Sequence, residues 1–351
     1  MELRRSRSAV FLVVAIAVSL LAAGCGGAPK QGQRPTLTVY SATGLALWYK
    51  AQFDKFTKET GVDVNLFEGG SGEVVSRINS GAVWDRLNRL NGDEAVPPAD
   101  LLVTLPPFIQ KAERAGLLQA GGADTTGIAA ELVGPGGVYV PIVKTALCFI
   151  ANPAADPQPT SWQDLLSPRF KGKLAYSTPG EAGAGTAVLI LLKHLMGERG
   201  ALDYLARLKI NTAGSANSTA SLQPKVDSGE LLVANGDVQM NLASINNDGS
   251  KFAIFFPAMP DGTRTTVSLP YFAGVTATSH LPEEAKRLLA FLMSEEAQKA
   301  VSTVAFGIPV RDSLASKPAE VLNGVTLWAP DWNTVLVELE SDVAAYQQAV
   351  R

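Results

Sequence analysis

The sequence predicts an α/β fold in two domains. Its 351 residues leave room for about two domains. Strand-like and helix-like runs alternate from residue 37 to residue 118. A long strand-like run, Val138 to Ile150, is placed to carry the chain into a second domain. Strict β-α alternation implies a parallel sheet with helices on both faces.

The elements follow in order. Leu37-Thr38-Val39-Tyr40-Ser41 alternates apolar and polar residues and reads as a strand. Trp48 to Thr60 carries Trp48, Phe53 and Phe56 on a helical spacing and is stopped by Gly61. Val62 to Phe67 is a second strand, Gly69-Gly70-Ser71-Gly72 a tight turn, and Glu73 to Ile78 a second helix. Residues 79–98 lack a clear period and are expected to hold helix and loop. Ala99 to Thr104 is a third strand, broken by Pro106-Pro107, and Phe108 to Leu118 a third helix. Beyond Ile150 come a strand at Leu174 to Ser177, a Gly-rich turn from Pro179 to Gly185, and helices over Thr186 to Met196 and Ala201 to Leu208. Leu231 to Ala234, Phe252 to Phe256 and Thr265 to Thr278 are strands, the last two able to carry the chain back. Pro282 to Leu292 and Glu295 to Val301 are helical, and a final helix starts near Asn333.

The first 24 residues have the layout of a secretory signal peptide. Arg4, Arg5 and Arg7 form a basic start, Ala9 to Ala22 is nearly all apolar, and small residues precede Cys25. The apolar stretch is short for a spanning helix, which needs roughly 20 residues. The Ala23-Gly24-Cys25 ending resembles a bacterial lipobox, with Ala22 standing where a strict match has Leu. The resemblance implies a lipid on Cys25 and an extracytoplasmic chain tethered by residues 25–36. Cys148 lies in an apolar run and reads as a small buried hydrophobe.

Composition excludes several classes. A net charge of −3 with no basic stripe does not suit a nucleic-acid binder. Two cysteines and two histidines cannot build a Cys-rich zinc site, and we expect neither a metal nor a cofactor. The motifs Gly-x-Ser-x-Gly, His-Glu-x-x-His and Walker A do not occur, so no enzyme is expected.

Ligands of open α/β sheets sit where strands end and helices begin. Four such junctions are rich in Ser, Thr and Gly: Tyr40 to Gly44, Gly69 to Gly72, Gly183 to Thr186, and Ala216 to Thr219. Free N–H groups and the helix dipole at such starts attract an anion, although a hydroxyl there can equally be an N-cap. For a cationic group the candidates are Glu73, Glu181, Asp237 and the ring of Tyr271. Glu73, at a helix start, also has the simpler role of complementing the dipole.

Several stretches resemble the periplasmic-binding family that serves ABC importers for 2-aminoethylphosphonate. They are Leu37 to Ser41, Phe67 to Glu73, Leu102 to Phe108, Tyr176 to Gly180, Gly185 to Ala187, Asn235 to Asp237 and Ser268 to Tyr271. The resemblance spans about residues 37 to 311 and extends to ferric-ion and polyamine binders. It implies a two-lobed, type II periplasmic-binding-protein fold, each lobe a mostly parallel sheet flanked by helices and joined by a hinge. Lobe 1 would comprise residues 37–142 and 255–311, lobe 2 residues 143–254, with a C-terminal helical segment at 312–351. It implies binding without catalysis by a monomer that delivers ligand to the permease subunits. Ser41, Thr43, Ser71, Gly72, Thr104, Gly185, Thr186, Ser218 and Thr219 would hold the phosphonate. Glu181, Asp237 and Tyr271 would hold the amine. Ala184 departs from the polar residue expected in the Gly-rich loop. The alternatives are another small oxyanion, or ferric ion on the same fold.

Overall fold

In a computed structural model, which describes residues 34–80, 97–314 and 320–351, the first alternating run forms β1 (Thr36–Ala42). The segment expected to be a signal peptide, Cys25 and most of the 79–98 stretch lie outside the described residues. β1 is buried from Leu37 onward. Leu37 and Val39 face one core and Tyr40 faces another, as expected of a strand covered by helices on both sides.

Helix α1 (Ala46–Thr60) buries Trp48, Tyr49, Phe53 and Phe56. It ends on Gly61, at φ 73°, whose N–H caps the Thr57 carbonyl. β2 (Asp63–Gly69) pairs in parallel with β1 along its length. α2 (Ser71–Asn79) follows at once. Its Glu73 accepts the Gly70 N–H at 3.2 Å and an Arg77 N–H at 3.0 Å. Glu73 therefore takes the helix-start role allowed for it. β3 (Leu101–Thr104) pairs in parallel with β1.

α3 (Phe108–Arg114) is shorter than its periodicity suggested. Gly116 turns left-handed at φ 67°, and Leu118–Gln119 become a short strand, β4, paired with a later strand instead of extending the helix.

β5 (Val140–Ala151) and β9 (Thr265–Thr276) are long and antiparallel to each other. β9 pairs with β3 and β4. Beyond Ala146, β5 pairs with β7 (Val233–Asp237) and β8 (Ala253–Phe255). β6 (Leu174–Ala175) adds to β7. The order along the sheet is β2-β1-β3-β9-β5-β7-β6. The β1–β3 run is parallel as expected, and β5 and β9 make the sheet mixed. The β5–β9 ladder joins the two lobes.

α4 (Gly183–Leu208) starts within the expected Gly-rich turn and kinks at Gly197. Two glycines in its first turn permit close packing: a Cβ on Gly185 would lie 2.1 Å from the Ser177 carbonyl oxygen. α5 (Gln223–Asp227) and the six-residue α6 (Val238–Ala243) flank β7. α7 (Pro282–Leu292) and α8 (Glu295–Lys299) cover the first lobe. The chain closes with β10 (Thr326–Trp328), paired with β9, and α9 (Trp332–Ala349) on α4. Tyr176 and Tyr346 share a hydrogen bond at 3.0 Å, and Lys193 pairs with Asp342 at 2.5 Å. Cys148 is buried. No helix among the described residues is long and apolar enough to cross a membrane.

Candidate functional site

Strand ends and helix starts from both lobes meet at one crevice. β1 delivers Ala42 and Thr43, β2 Gly69, α2 its first residue Ser71, and the turn after β3 Leu105. From the other lobe come Ala182, Gly183 and Ala184 at the start of α4, Asn217 to Thr219, and Asp237 at the end of β7. The enclosed space is ≈ 10 Å³, about what one water requires. A ligand of several heavy atoms therefore enters by separating the walls.

The two helix starts meet closely: a Cβ on Gly183 would stand 3.2 Å from Ser71 Oγ. First-turn N–H groups have no partner within their own helix, and the dipole makes both ends positive. Two such ends at one crevice attract an oxyanion without Lys or Arg.

Asp237 supplies the opposite charge. The residue is only 1% exposed. Thr219 Oγ1 donates to its Oδ2 at 3.1 Å. Its Oδ1 has no hydrogen-bond partner among the described residues. Burial pushes its pKa up to about 6, with the Thr219 hydrogen bond opposing that rise. A buried carboxylate with an unused oxygen favours a cation beside it. The crevice thus suits a small molecule bearing both an anionic and a cationic group.

Glycines let the walls touch. A Cβ on Gly70 would lie 2.6 Å from the Asn217 carbonyl oxygen, and one on Gly183 2.6 Å from Leu105 Cβ. Gly72 N–H donates to the Glu181 carbonyl at 3.0 Å. Tyr271 OH donates to the Thr43 carbonyl at 3.0 Å, and Gln239 Nε2 to the Gly44 carbonyl at 3.2 Å.

Residues 37–303 match the sequence model of the bacterial extracellular solute-binding proteins. The chain belongs to that family. It is also 40% identical over 324 residues to a Salmonella typhimurium protein provisionally named a 2-aminoethylphosphonate-binding periplasmic protein, covering 89% of this chain and 91% of that one. The periplasmic binding protein P5PA superposes with a TM-score of 0.72 at 20% identity, over 90% of this chain and all of that one (100%). Iron-bound HitA from Pseudomonas aeruginosa gives 0.68 at 23% identity, over 90% and 99% of the two chains. At these identities the structural likeness establishes the fold, that of the type II periplasmic binding proteins. The solute-binding protein works outside the cytoplasm as part of a transport system.

Of the residues expected to hold an anion, Thr43, Ser71, Ser218 and Thr219 line the crevice of this solute-binding protein. Ser218 also caps its turn, accepting the Ala220 N–H at 3.2 Å. Five others do not line it, four of them standing behind it and Gly72 facing the adjoining outer recess. Ser41 Oγ donates to the Ala42 carbonyl and shares a hydrogen bond with Tyr49 OH. Thr104 Oγ1 donates to the Ser71 carbonyl at 3.0 Å and so positions the start of α2. The Gly72 N–H is taken by Glu181, and Gly185 packs on the Ser177 backbone. Thr186 Oγ1 accepts the Gly180 N–H and donates to the Ala182 carbonyl, each at 3.0 Å.

Thr186 therefore holds the loop that presents Ala182 to Ala184. Thr186→Val keeps the volume and removes both bonds, and it should lower stability by about 1–2 kcal/mol. Thermal denaturation should read this as a fall of a few degrees in Tm.

Of the residues expected to hold an amine, Asp237 alone lines the crevice. Glu181 is exposed in an adjoining outer recess with Lys111 and Asn217. Tyr271 is fully buried, its hydroxyl committed to Thr43 and Gln239. Burial and the nearby Asp237 charge hold that phenol well above its ordinary pKa.

Gln239 escaped the sequence reading because α6 has no periodicity to mark it. Asn217 lies within a junction already singled out, but nothing distinguishes its side chain from its neighbours'.

Proposed function

We propose that this protein captures 2-aminoethylphosphonate, or a close aminophosphonate, and delivers it to the permease subunits of an ABC importer. The observation that carries the reading is the pairing in one crevice of two helix starts with the unpartnered oxygen of Asp237. The phosphonate takes first-turn N–H groups of α2 and α4 with the hydroxyls of Ser71 and Ser218, and with that of Thr43 once it turns from the Gly69 carbonyl, to which it donates at 3.2 Å in the ligand-free protein. The ammonium meets Asp237, which Thr219 orients. The name of the Salmonella relative supports the same ligand.

The lobes in this reading are residues 37–142 with 255–311, and residues 143–254. The β5–β9 ladder is the hinge about which they close. Lipid on Cys25 keeps the protein, a monomer, at the membrane face where the permease works. Several acyl chains on one cysteine give a firm hold. The protein binds its ligand and leaves it unchanged.

Calorimetric titration of the chain from residue 26 tests this, with 2-aminoethylphosphonate beside ethylphosphonate, phosphate and ferric citrate. Tight binding of the aminophosphonate alone is the expected result. Equal binding of ethylphosphonate would remove the amine contact and leave a general oxyanion site. Binding of iron alone would overturn the ligand assignment.

A further inference from the structure

The cleft does not end at the crevice. Thr43 also forms the wall of a second cavity of ≈ 200 Å³, which includes Gly44, Glu68, Gln223, Met240 and Asp248. The two spaces adjoin through this shared residue and through chain neighbours: Gly69 lines one and Glu68 the other, Thr219 one and Ala220 the other.

Glu68 is a half-buried acid on β2, the edge strand of the sheet. Its Oε1 accepts one N–H, from Gly44 at 3.3 Å. Burial raises its pKa against the effect of that bond. A second acceptor stands on the same glycine. Gln239 is fully buried and uses its Nε2 on the Gly44 carbonyl and on Tyr271 OH, each at 3.2 Å. Its Oε1 has no partner among the described residues. Asp237 and Glu68 both raise the Tyr271 pKa, so the phenol lies within the field of both carboxylates.

We propose that this end of the cleft is a second cation subsite. There the Glu68 carboxylate receives the ammonium of aminoalkylphosphonates longer than the two-carbon ligand, with 3-aminopropylphosphonate as the first case. The inference rests on the helix-start seat for the phosphonate proposed above. With that group fixed, a short arm reaches Asp237 and a longer arm passes Thr43 to Glu68. A roomy, partly apolar cavity accepts the extra methylenes, and Met240 adapts its shape to them.

The test is a calorimetric series of 2-aminoethyl-, 3-aminopropyl- and 4-aminobutylphosphonate with their amine-free alkyl counterparts, on wild type and on Glu68→Gln. The wild type should bind the propyl amine more tightly than propylphosphonate. Glu68→Gln should lower that affinity about tenfold more than it lowers affinity for the two-carbon ligand, the loss of one charged hydrogen bond. A wild type that binds the two-carbon amine but no longer one would overturn the subsite, and that outcome does not depend on how the variant folds. So would an equal loss for all three amines, which would make Glu68 a support for Gly44 alone. Failure to bind any aminophosphonate would overturn the function proposed above as well.

Discussion

Asp237→Asn weakens binding of 2-aminoethylphosphonate by roughly thirtyfold or more, because truncating one side of a buried charge pair costs ~2 kcal/mol or above. Asn keeps the shape and the hydrogen bond from Thr219 but leaves the ammonium with no counter-charge. Affinity for ethylphosphonate should rise or stay level, since a buried negative charge near the phosphonate has gone. Paired titrations of the two ligands measure this, and an unchanged preference for the amine would show that another group holds it.

The same substitution makes the ligand-free protein more stable at neutral pH. The Asp237 pKa rises from 3.8 in the free residue to about 6 in the fold. Below 3.8 both states carry the proton and the group is neutral to stability. Between the two values the folded state keeps a proton that the unfolded chain has released, so stability falls as pH rises. Above about 6 the fold holds a buried charge, at a cost of about 3 kcal/mol relative to the protonated form. Urea unfolding of wild type and variant at pH 4 and pH 7.5 reads the difference, which should favour the variant only at the higher pH. Bound ligand removes this penalty in the wild type by supplying the ammonium.

Gly70→Val should abolish closure while leaving each lobe folded. Gly70 lies at φ −66° and ψ 152°, a backbone conformation open to any residue. The obstacle is across the cleft: the nearest atom to its Cβ position is the Asn217 carbonyl oxygen at 2.6 Å. Within its own lobe the nearest is Glu73 Cβ at 3.8 Å, an ordinary contact. A branched side chain therefore props the lobes apart. Ligand contacts from the second lobe are lost, and affinity should fall roughly hundredfold, the equivalent of ~3 kcal/mol of lost contacts. Small-angle scattering should show no compaction of the variant on adding 2-aminoethylphosphonate, with its melting temperature near that of the wild type. Compaction equal to that of the wild type would mean that the Gly70–Asn217 approach does not limit closure.

Much of the architecture is legible in the chain. Alternation marks β1, helical spacing with a terminal Gly61 marks α1, and the long runs at Val138 to Ile150 and Thr265 to Thr278 mark the ladder between lobes. These signals are local, written by side-chain burial at periods that backbone geometry sets. The Ser-, Thr- and Gly-rich junctions are legible for the same reason, since helix starts carry a recognisable chemistry.

What the sequence cannot say is which way each junction residue faces. Ser41 and Thr43 are two residues apart, yet the Ser41 hydroxyl is buried on Tyr49 while Thr43 lines the crevice, its hydroxyl donating to the Gly69 carbonyl at 3.2 Å. Ser71 enters the crevice, while Thr104 holds the Ser71 carbonyl and Thr186 the Ala182 carbonyl from behind. Glu181 and Asp237 look alike as acids near loops. Only the meeting of the lobes leaves one exposed and buries the other with an oxygen unused. The elements were thus determined by the chain itself. The identity of the charged groups that face a ligand was decided by the tertiary structure, because burial and desolvation depend on residues far away along the sequence.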